Sequence, residues 1–472
     1  MPKMTTTTCL LSHQQTAVEK LLPTRIGAAF MEMGTGKSRM AIELIARRQD
    51  RVSNVIWFCP VSLKETVRYE ILKHTDTSPD DIHVFGAKTN ERTVPTVFWY
   101  IVGIESMSAS RRMILTVNAI IDEGSMVIVD ESSYIKGHRS ARTDWITRIA
   151  ERARYRLILT GTPLSQGVVD LFAQMRFLSP KILGYRSFYS FAANHLEYSE
   201  KYPGLIVRSH NTAYLAAKIK PYVYQVTKEE CLDLPDKLYH SEYFSMTREQ
   251  RSAYEQAKEE ILAELDDDKV DSYIIFRLFT ALQQIVSGFW KRKTKLGSEF
   301  LEFDQNRTSL LMDIIRKIPK NEKIVIWSKF VHDIDKISAT LREEYGDAST
   351  ALFYGKLNEK HRRAEVVRFC ESSKFFVATQ SCGGYGLNEL IQSAYAIFYA
   401  NGFKHSERQQ AEARSHRIGQ TKPVTYIDIV CLDSIDVRIS NALAAKGNVV
   451  EQFKSEVDRV KGKSRKDLIM SL

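Results

Sequence analysis

Residues 30–40 read FMEMGTGKSRM. Gly34 and Gly36, followed by Lys37 and Ser38, have the form of a phosphate-binding loop, and the flanking residues decide which fold carries it. Before the loop, IGAAFM (26–31) is an apolar run of strand length. After it, SRMAIELIARR (38–48) has the spacing of an amphipathic helix. A strand, a glycine turn and a helix N-terminus offer an anion free amides and the positive end of a helix dipole, and glycine lets the backbone come close. Lys37 is then placed to reach the β- and γ-phosphates, and the Ser38 hydroxyl to hold Mg²⁺. The usual G-x-x-x-x-G-K-[ST] loop has a glycine where this chain has Met31, so only the glycines nearest the phosphates are kept. G-x-G-K-S also arises by chance, and a second part is needed.

That part is VIVDE (127–131), an apolar strand ending in two carboxylates. Asp130 is expected to coordinate Mg²⁺, and Glu131 to orient and deprotonate the attacking water. Alone, the pair could simply cap a strand; beside a lysine loop that reading weakens. In RLILTGTPLSQGVVDLFAQMRFLSP (156–180), a strand delivers Thr160, Gly161 and Thr162 into a turn closed by Pro163. Hydroxyls there can couple the carboxylates to a neighbouring surface. Far along the chain, SERQQAEARSHRIGQ (406–420) predicts a helix that starts at a capping box of Ser406 and Gln409 and stops at Gly419. Gln410, Arg414 and Arg417, at i, i+4 and i+7, would share one face. Two arginines and a glutamine suit a phosphate with developing charge, as an arginine finger. The competing reading is a solvated basic helix face.

Short apolar runs alternate with helical patterns: Val55–Cys59, 127–129, 156–160, Ile324–Ser328, Phe375–Thr379, 396–399 and 424–430. They fall before about residue 180 and after about residue 320, which predicts two α/β domains with parallel sheets. The expected domains are 1–222, with an aromatic-rich helical insertion near 180–215, and 223–472, with a helical insertion near 245–290. A hinge is expected near 205–235, and a loose basic tail from Lys461. The net charge of +10 favours a polyanionic partner. Six cysteines without a C-x-x-C pair argue for a reducing compartment and against a disulfide frame or structural metal. The N-terminus lacks the apolar core of a signal peptide, and no run is long enough to span a bilayer.

Taken in order, LLSHQ, GTGKS, CPVSL, DESSYIK, LTGTPL, GGYGLN and QAEARSHRIGQ resemble the SNF2 branch of superfamily 2 helicases, over residues 10–445. Members of that family carry E-M-G-x-G-K-[ST] and do without the distal glycine. The resemblance implies two RecA-like domains with ATP and Mg²⁺ in a cleft between them. It implies a DNA-dependent ATPase that translocates along duplex or branched DNA irrespective of sequence. A monomer with no membrane association, in the cytoplasm and on the nucleoid, is expected.

Gln14 matches the residue that reads adenine, with His13 beside it, and Met33, Gly34, Thr35 and Gly36 match the loop around the phosphates. Pro60 and Ser62 lie in the segment that follows the DNA backbone in the family, and 104–107 (IESM) holds the place of a second such segment. Residues 324–330 (IVIWSKF) and 379–388 (TQSCGGYGLN) match later motifs; in the latter, Thr379, Gly383 and Gly384 would face DNA and Gly386 the ATP. Lys291 and Arg292 in WKRKTK, and KHRR (360–363), are candidate phosphate contacts, with a solvated loop as the alternative. Departures are Ser133 where the family has a histidine that contacts the coupling motif, a missing arginine pair ahead of LPDK, and Phe403 in place of a common tryptophan. DESSYIKGHRSART and QAEARSHRIGQ lean toward the compact branch of annealing helicases and fork remodellers, and the short form resembles bacteriophage or bacterial members. A strand-separating helicase on the same motor, a P-loop switch indifferent to DNA and a non-hydrolysing nucleic-acid scaffold are the rival readings.

Overall fold

The computed structural model describes residues 4–472 except 162, 165–166, 199–205, 264–271, 295–296, 385–386 and 460–462. Thr162 and Gly386 therefore lie outside the described residues. The chain divides into two compact units, Met1–Asp233 and Leu234–Leu472.

In the first unit the strands are β1 (Ile26–Met31), β2 (Val55–Cys59), β3 (Ile82–Val84), β4 (Trp99–Gly103), β5 (Met126–Asp130), β6 (Tyr155–Thr160), β7 (Leu196–Tyr198), β8 (Ile206–Ser209) and β9 (Val223–Val226). Seven of them form one sheet in the order β3-β4-β2-β5-β6-β1-β9. Every pairing in it is parallel. The second unit contains β10 (Lys237–Phe244), β11 (Phe289–Thr294), β12 (Gly297–Glu302), β13 (Ile324–Ser328), β14 (Thr350–Phe353), β15 (Phe375–Thr379), β16 (Tyr395–Phe398) and β17 (Val424–Cys431). Its main sheet, β10-β17-β16-β13-β15-β14, is also parallel throughout. The α/β class with two parallel sheets is thus as expected.

Parallel strands are covered on both faces, so consecutive residues of one strand enter different cores. Ala28 and Phe30 of β1 pack with Ile56, Phe58, Val127 and Val129 on one face. Ala29 and Met31 pack with Trp57, Ile128 and Leu159 on the other. In the second unit Ile324 and Ile326 of β13 join one core, and Val325 and Trp327 the opposite one. This double burial is why the strands read as unbroken apolar runs.

The structure differs from the sequence reading in several places. The units part after Asp233, not at 222/223, because β9 pairs with β1 and draws residues 223–226 into the first sheet. Strands also occur between the two expected groups. Lys237–Phe244 (KLYHSEYF) has three polar residues in a row at its centre and offers no continuous apolar run, yet it extends the second sheet along all eight residues. As an edge strand it has a neighbour on one side only, and Tyr239 and Tyr243 remain exposed.

Around 180–215 helices Pro180–Leu183, Phe188–His195 and Thr212–Ile219 enclose an antiparallel β7–β8 pair, so this insertion is not purely helical. Phe191 lies in the core between Phe172, Phe188 and Tyr185, while Tyr189 faces solvent. The second insertion consists of helices Arg248–Ala263 and Ser272–Val286, followed by the β11–β12 hairpin. Of the basic tail expected from Lys461, residues 461–462 lie outside the described residues. Residues Lys463–Met470 are helical, Ile469 and Leu472 enter the core, and the Tyr254 hydroxyl donates to the Leu472 carbonyl at 3.0 Å.

Candidate nucleotide site

Strand register places the expected phosphate loop, coupling turn and carboxylates on one edge of the first sheet. Phe30 of β1 pairs with Thr160 of β6, and Asp130 of β5 pairs with Leu159 of β6. The three strands therefore end level, with β6 in the middle. This is the carboxyl edge of a parallel sheet, where α/β folds bind ligands.

The loop 32–36 leads from β1 into helix Lys37–Ala46. Gly34 and Gly36 have φ of +85° and +82°, in the left-handed region that favours glycine. At Gly36 space gives a second reason, since a Cβ there would collide with the Gln14 side-chain amide. The loop is braced from within and from the first helix. The Thr35 hydroxyl donates to the Glu32 carbonyl at 2.7 Å. The Thr35 carbonyl accepts from His13 Nε2 at 2.8 Å and from Gln14 Nε2 at 3.0 Å. Gln14, expected to read adenine, thus also pins the loop. Lys37 Nζ donates to the Met31 carbonyl at 3.0 Å and to the Glu32 carbonyl at 3.4 Å, over the mouth of the loop. Met33 is buried against Gly161, where a Cβ would stand 3.1 Å from the Met33 amide nitrogen. Ser38 is half-buried in the first turn of the helix.

Asp130 is 7% exposed. Burial, and then the charge of Glu131, push its carboxyl up to about 7, against a downward pull from Lys37. A carboxyl whose charge is disfavoured by burial and by a second carboxylate calls for a cation, and hydroxyl and carboxylate oxygens are the donors Mg²⁺ prefers. Ser38 and Asp130 therefore fit the ion chemically. Glu131 is the unusual residue. It has φ +53° and ψ +59°, a left-handed conformation that costs a side-chain-bearing residue about 1–3 kcal/mol. Its amide donates to Asp130 Oδ1 at 3.0 Å, and its carbonyl accepts from the Tyr134 amide at 3.0 Å.

In place of the coupling histidine the sequence leaves two possibilities: Ser133 substitutes for it, or the coupling is looser. Beside Ser133, the Ser132 hydroxyl donates to Gln174 Oε1 at 2.6 Å. Gln174 Nε2 donates to the carbonyl of Pro163, at the end of the coupling turn, at 2.9 Å. Sequence reasoning passed over Gln174, which sits mid-helix in Val169–Leu178 with no local mark of its role. Thr160, next to the turn, is fully buried.

In the second unit the helix runs His405–Ser415. Ser406 and Gln409 are inside it and form no capping box; the N-cap is Lys404, which makes no side-chain cap. The helix also ends four residues before Gly419. Gln410 and Arg414 share a helical face, but Arg417 lies beyond the last turn and is aimed by other means. Arg417 Nη1 donates to Asn388 Oδ1. Gln420 Nε2 holds the same turn, donating to the carbonyls of Ile391 at 2.9 Å and Ser415 at 3.1 Å.

A buried polar network fixes the helix to the 379–388 segment. Gln380 Nε2 donates to Asn401 Oδ1 at 3.0 Å, and Asn401 Nδ2 to Asp428 Oδ1 at 2.7 Å. Arg408 donates to both Asp428 oxygens and, through Nε, to Glu412 at 2.8 Å. Phe403 is buried, with the Lys329 ammonium 3.0 Å from its ring centre.

Of the residues expected on DNA, Pro60 and Ser62 follow β2 on the same edge as the loop, and the Val61 amide between them donates to Glu105 Oε2 at 2.9 Å. Thr379 ends β15 and is buried, its hydroxyl 3.1 Å from Cys382 Sγ, and Gly383 and Gly384 lie in the short helical turn Gln380–Gly384. The stretch beginning at Trp290 is a hairpin strand, not a loop. Lys291 is exposed on it, whereas Arg292 is committed to Glu260 and Glu299 and stacks on Trp290. Lys360 to Arg363 open helix Glu359–Glu371.

Residues 13–288 match the SNF2-related domain, and residues 306–419 the helicase conserved C-terminal domain. An uncharacterized ATP-dependent helicase of Mycoplasma genitalium is 25% identical over 350 residues, which is 73% of this chain and 32% of that protein. The ATP-dependent helicase fft1 of Schizosaccharomyces pombe is 23% identical over 405 residues, 73% of this chain and 41% of that protein. The chain thus spans well under half the length of these relatives. The solved SWI2/SNF2 ATPase core of Sulfolobus solfataricus in complex with dsDNA is 21% identical, with 99% of this chain and 98% of that one covered and a TM-score of 0.45.

Proposed function

The chain belongs to the SNF2-related family, and on that footing we propose that it hydrolyses ATP to drive movement along duplex or branched DNA. The observation that carries this reading is the level ending of β1, β6 and β5. That register brings the glycine loop with its lysine, the end of β6 and the carboxylates of Asp130, which is buried, and Glu131 to one sheet edge. The relatives from Mycoplasma genitalium and Schizosaccharomyces pombe are described as ATP-dependent helicases, and the net charge of +10 suits a polyanionic track.

In this mechanism the amides of 34–38 and the helix dipole hold the phosphates. Lys37 exchanges its carbonyl partners for phosphate oxygens. Ser38 and Asp130 would hold Mg²⁺, which would supply positive charge to screen those oxygens. Glu131 orients a water for in-line attack on the γ-phosphorus and accepts its proton. The bond from that phosphorus to the bridging oxygen breaks, giving ADP and inorganic phosphate. Arg414 and Arg417 stabilise the transferring group, an effect on the order of 10³–10⁵ in rate for arginine fingers. Thr160, Gly161 and Thr162 transmit the change, and contacts along 60–62, 379–384 and Lys291 carry the DNA backbone irrespective of sequence.

The test is ATP turnover titrated with single-stranded, duplex and forked DNA, paired with displacement of a triplex strand. Turnover that rises with duplex or forked DNA, with triplex displacement and no unwinding, is expected. Equal turnover with and without DNA overturns the translocase reading in favour of a nucleotide switch. Strand separation without triplex displacement favours a helicase.

A further inference from the structure

Glu131 is held in a conformation that glycine prefers, and strain of that kind persists only where neighbours over-determine it. The next residue supplies the anchor. Ser132 is fully buried, and its hydroxyl is fixed to Gln174, which is itself fully buried. Gln174 is immobilised by two further bonds, to the carbonyls of Pro163 and Asp170, both at 2.9 Å. Asp170 in turn takes Lys136 at 3.6 Å, so the segment that leaves β5 is tied to helix Val169–Leu178 twice.

We propose that Ser132 and Gln174 form a positioning relay that holds the Glu131 carboxylate at its working angle and ties it to the turn after β6. The relay rests on the reading of this site as a hydrolytic one. Both side chains are fully buried and act through Glu131 rather than as catalytic groups themselves. Any shift of the 160–163 turn is passed through the Pro163 carbonyl and the Gln174 amide to Ser132, and so to the backbone of Glu131. A rigid two-bond link of this kind lets the turn set the angle of the water-activating carboxylate. Misplacement of a reacting group by about 1 Å costs up to about 10²-fold in rate.

The experiment compares wild type, Ser132→Ala, Gln174→Leu and the double variant, measuring kcat, KM for ATP and Tm with and without duplex DNA. Each single change strands a buried polar atom and lowers Tm; the double change removes both members of the pair and regains part of that loss. The relay predicts that kcat falls about tenfold or more in all three variants, with KM within about twofold, and that it stays low in the double variant although Tm recovers. A kcat that recovers together with Tm, or single variants with lowered Tm and unchanged kcat, reduces the contact to packing and overturns the proposal. Wild-type turnover that ignores DNA refutes the translocase reading alone, because the relay is read on whatever rate the wild type has. A wild type with no turnover refutes both.

Discussion

The loop between β1 and its helix and the turn after helix His405–Ser415 are both expected to meet phosphate, and they are built in opposite ways. The first is backbone. Its shape depends on two left-handed glycines, and its ligands are amides that any sequence with those glycines would present. The second is side chain. Arg417 lies outside the helix that was expected to carry it and is aimed by Asn388, while Gln420 closes the turn and Arg408, Asp428 and Asn401 fix the helix underneath. A backbone site is specified by a few adjacent residues. A side-chain site needs partners gathered from across the fold.

That contrast can be broken or sharpened by mutation. Arg417→Ala should lower DNA-stimulated kcat about 10³-fold or more while circular dichroism stays native, since on the proposed mechanism it removes transition-state charge and leaves the turn in place. Asp428→Ala should cost about 3–5 kcal/mol of stability, read as a lower denaturation midpoint of the second unit, because it leaves the Arg408 guanidinium buried without its carboxylate. A smaller loss would mean that Glu412 alone satisfies Arg408.

Asn388→Ala should reduce kcat by up to about 10²-fold with little change in Tm, as Arg417 loses its aim but not its charge. Equal activity would show that the arginine is oriented by other contacts. Gly36→Ala should cost about 1–3 kcal/mol, seen as a raised KM for ATP and a lower Tm, from the positive φ and the clash with Gln14. Adding Gln14→Ala should relieve the clash but not the backbone strain. Tyr239→Phe should be mildest, about 1 kcal/mol in Tm, for the 2.8 Å bond from its hydroxyl to Glu412.

Legibility followed the same division. The loop, the strand before it, the carboxylate pair and the unbroken apolar strands could all be read from local sequence, because backbone conformation and double-sided burial leave local marks. Strand Lys237–Phe244 could not, since an edge strand needs no apolar run. Nor could the C-terminal docking, which depends on Tyr254 more than two hundred residues earlier. The capping box at Ser406 was a false signal: the residue pattern was present, but the helix had already begun at His405.

By itself the sequence determined a glycine turn between a strand and a helix, a strand that ends in two carboxylates, and strands that are parallel and buried, because each of these is a property of a few neighbouring residues. Only the tertiary structure decided that Thr160 would lie level with Phe30, that Glu131 would be bent into a left-handed turn, and that Ser132 would be held by Gln174. Strand order and side-chain partners are non-local. They are settled when the sheet closes and each buried polar group must find its mate, which no stretch of the chain can specify alone.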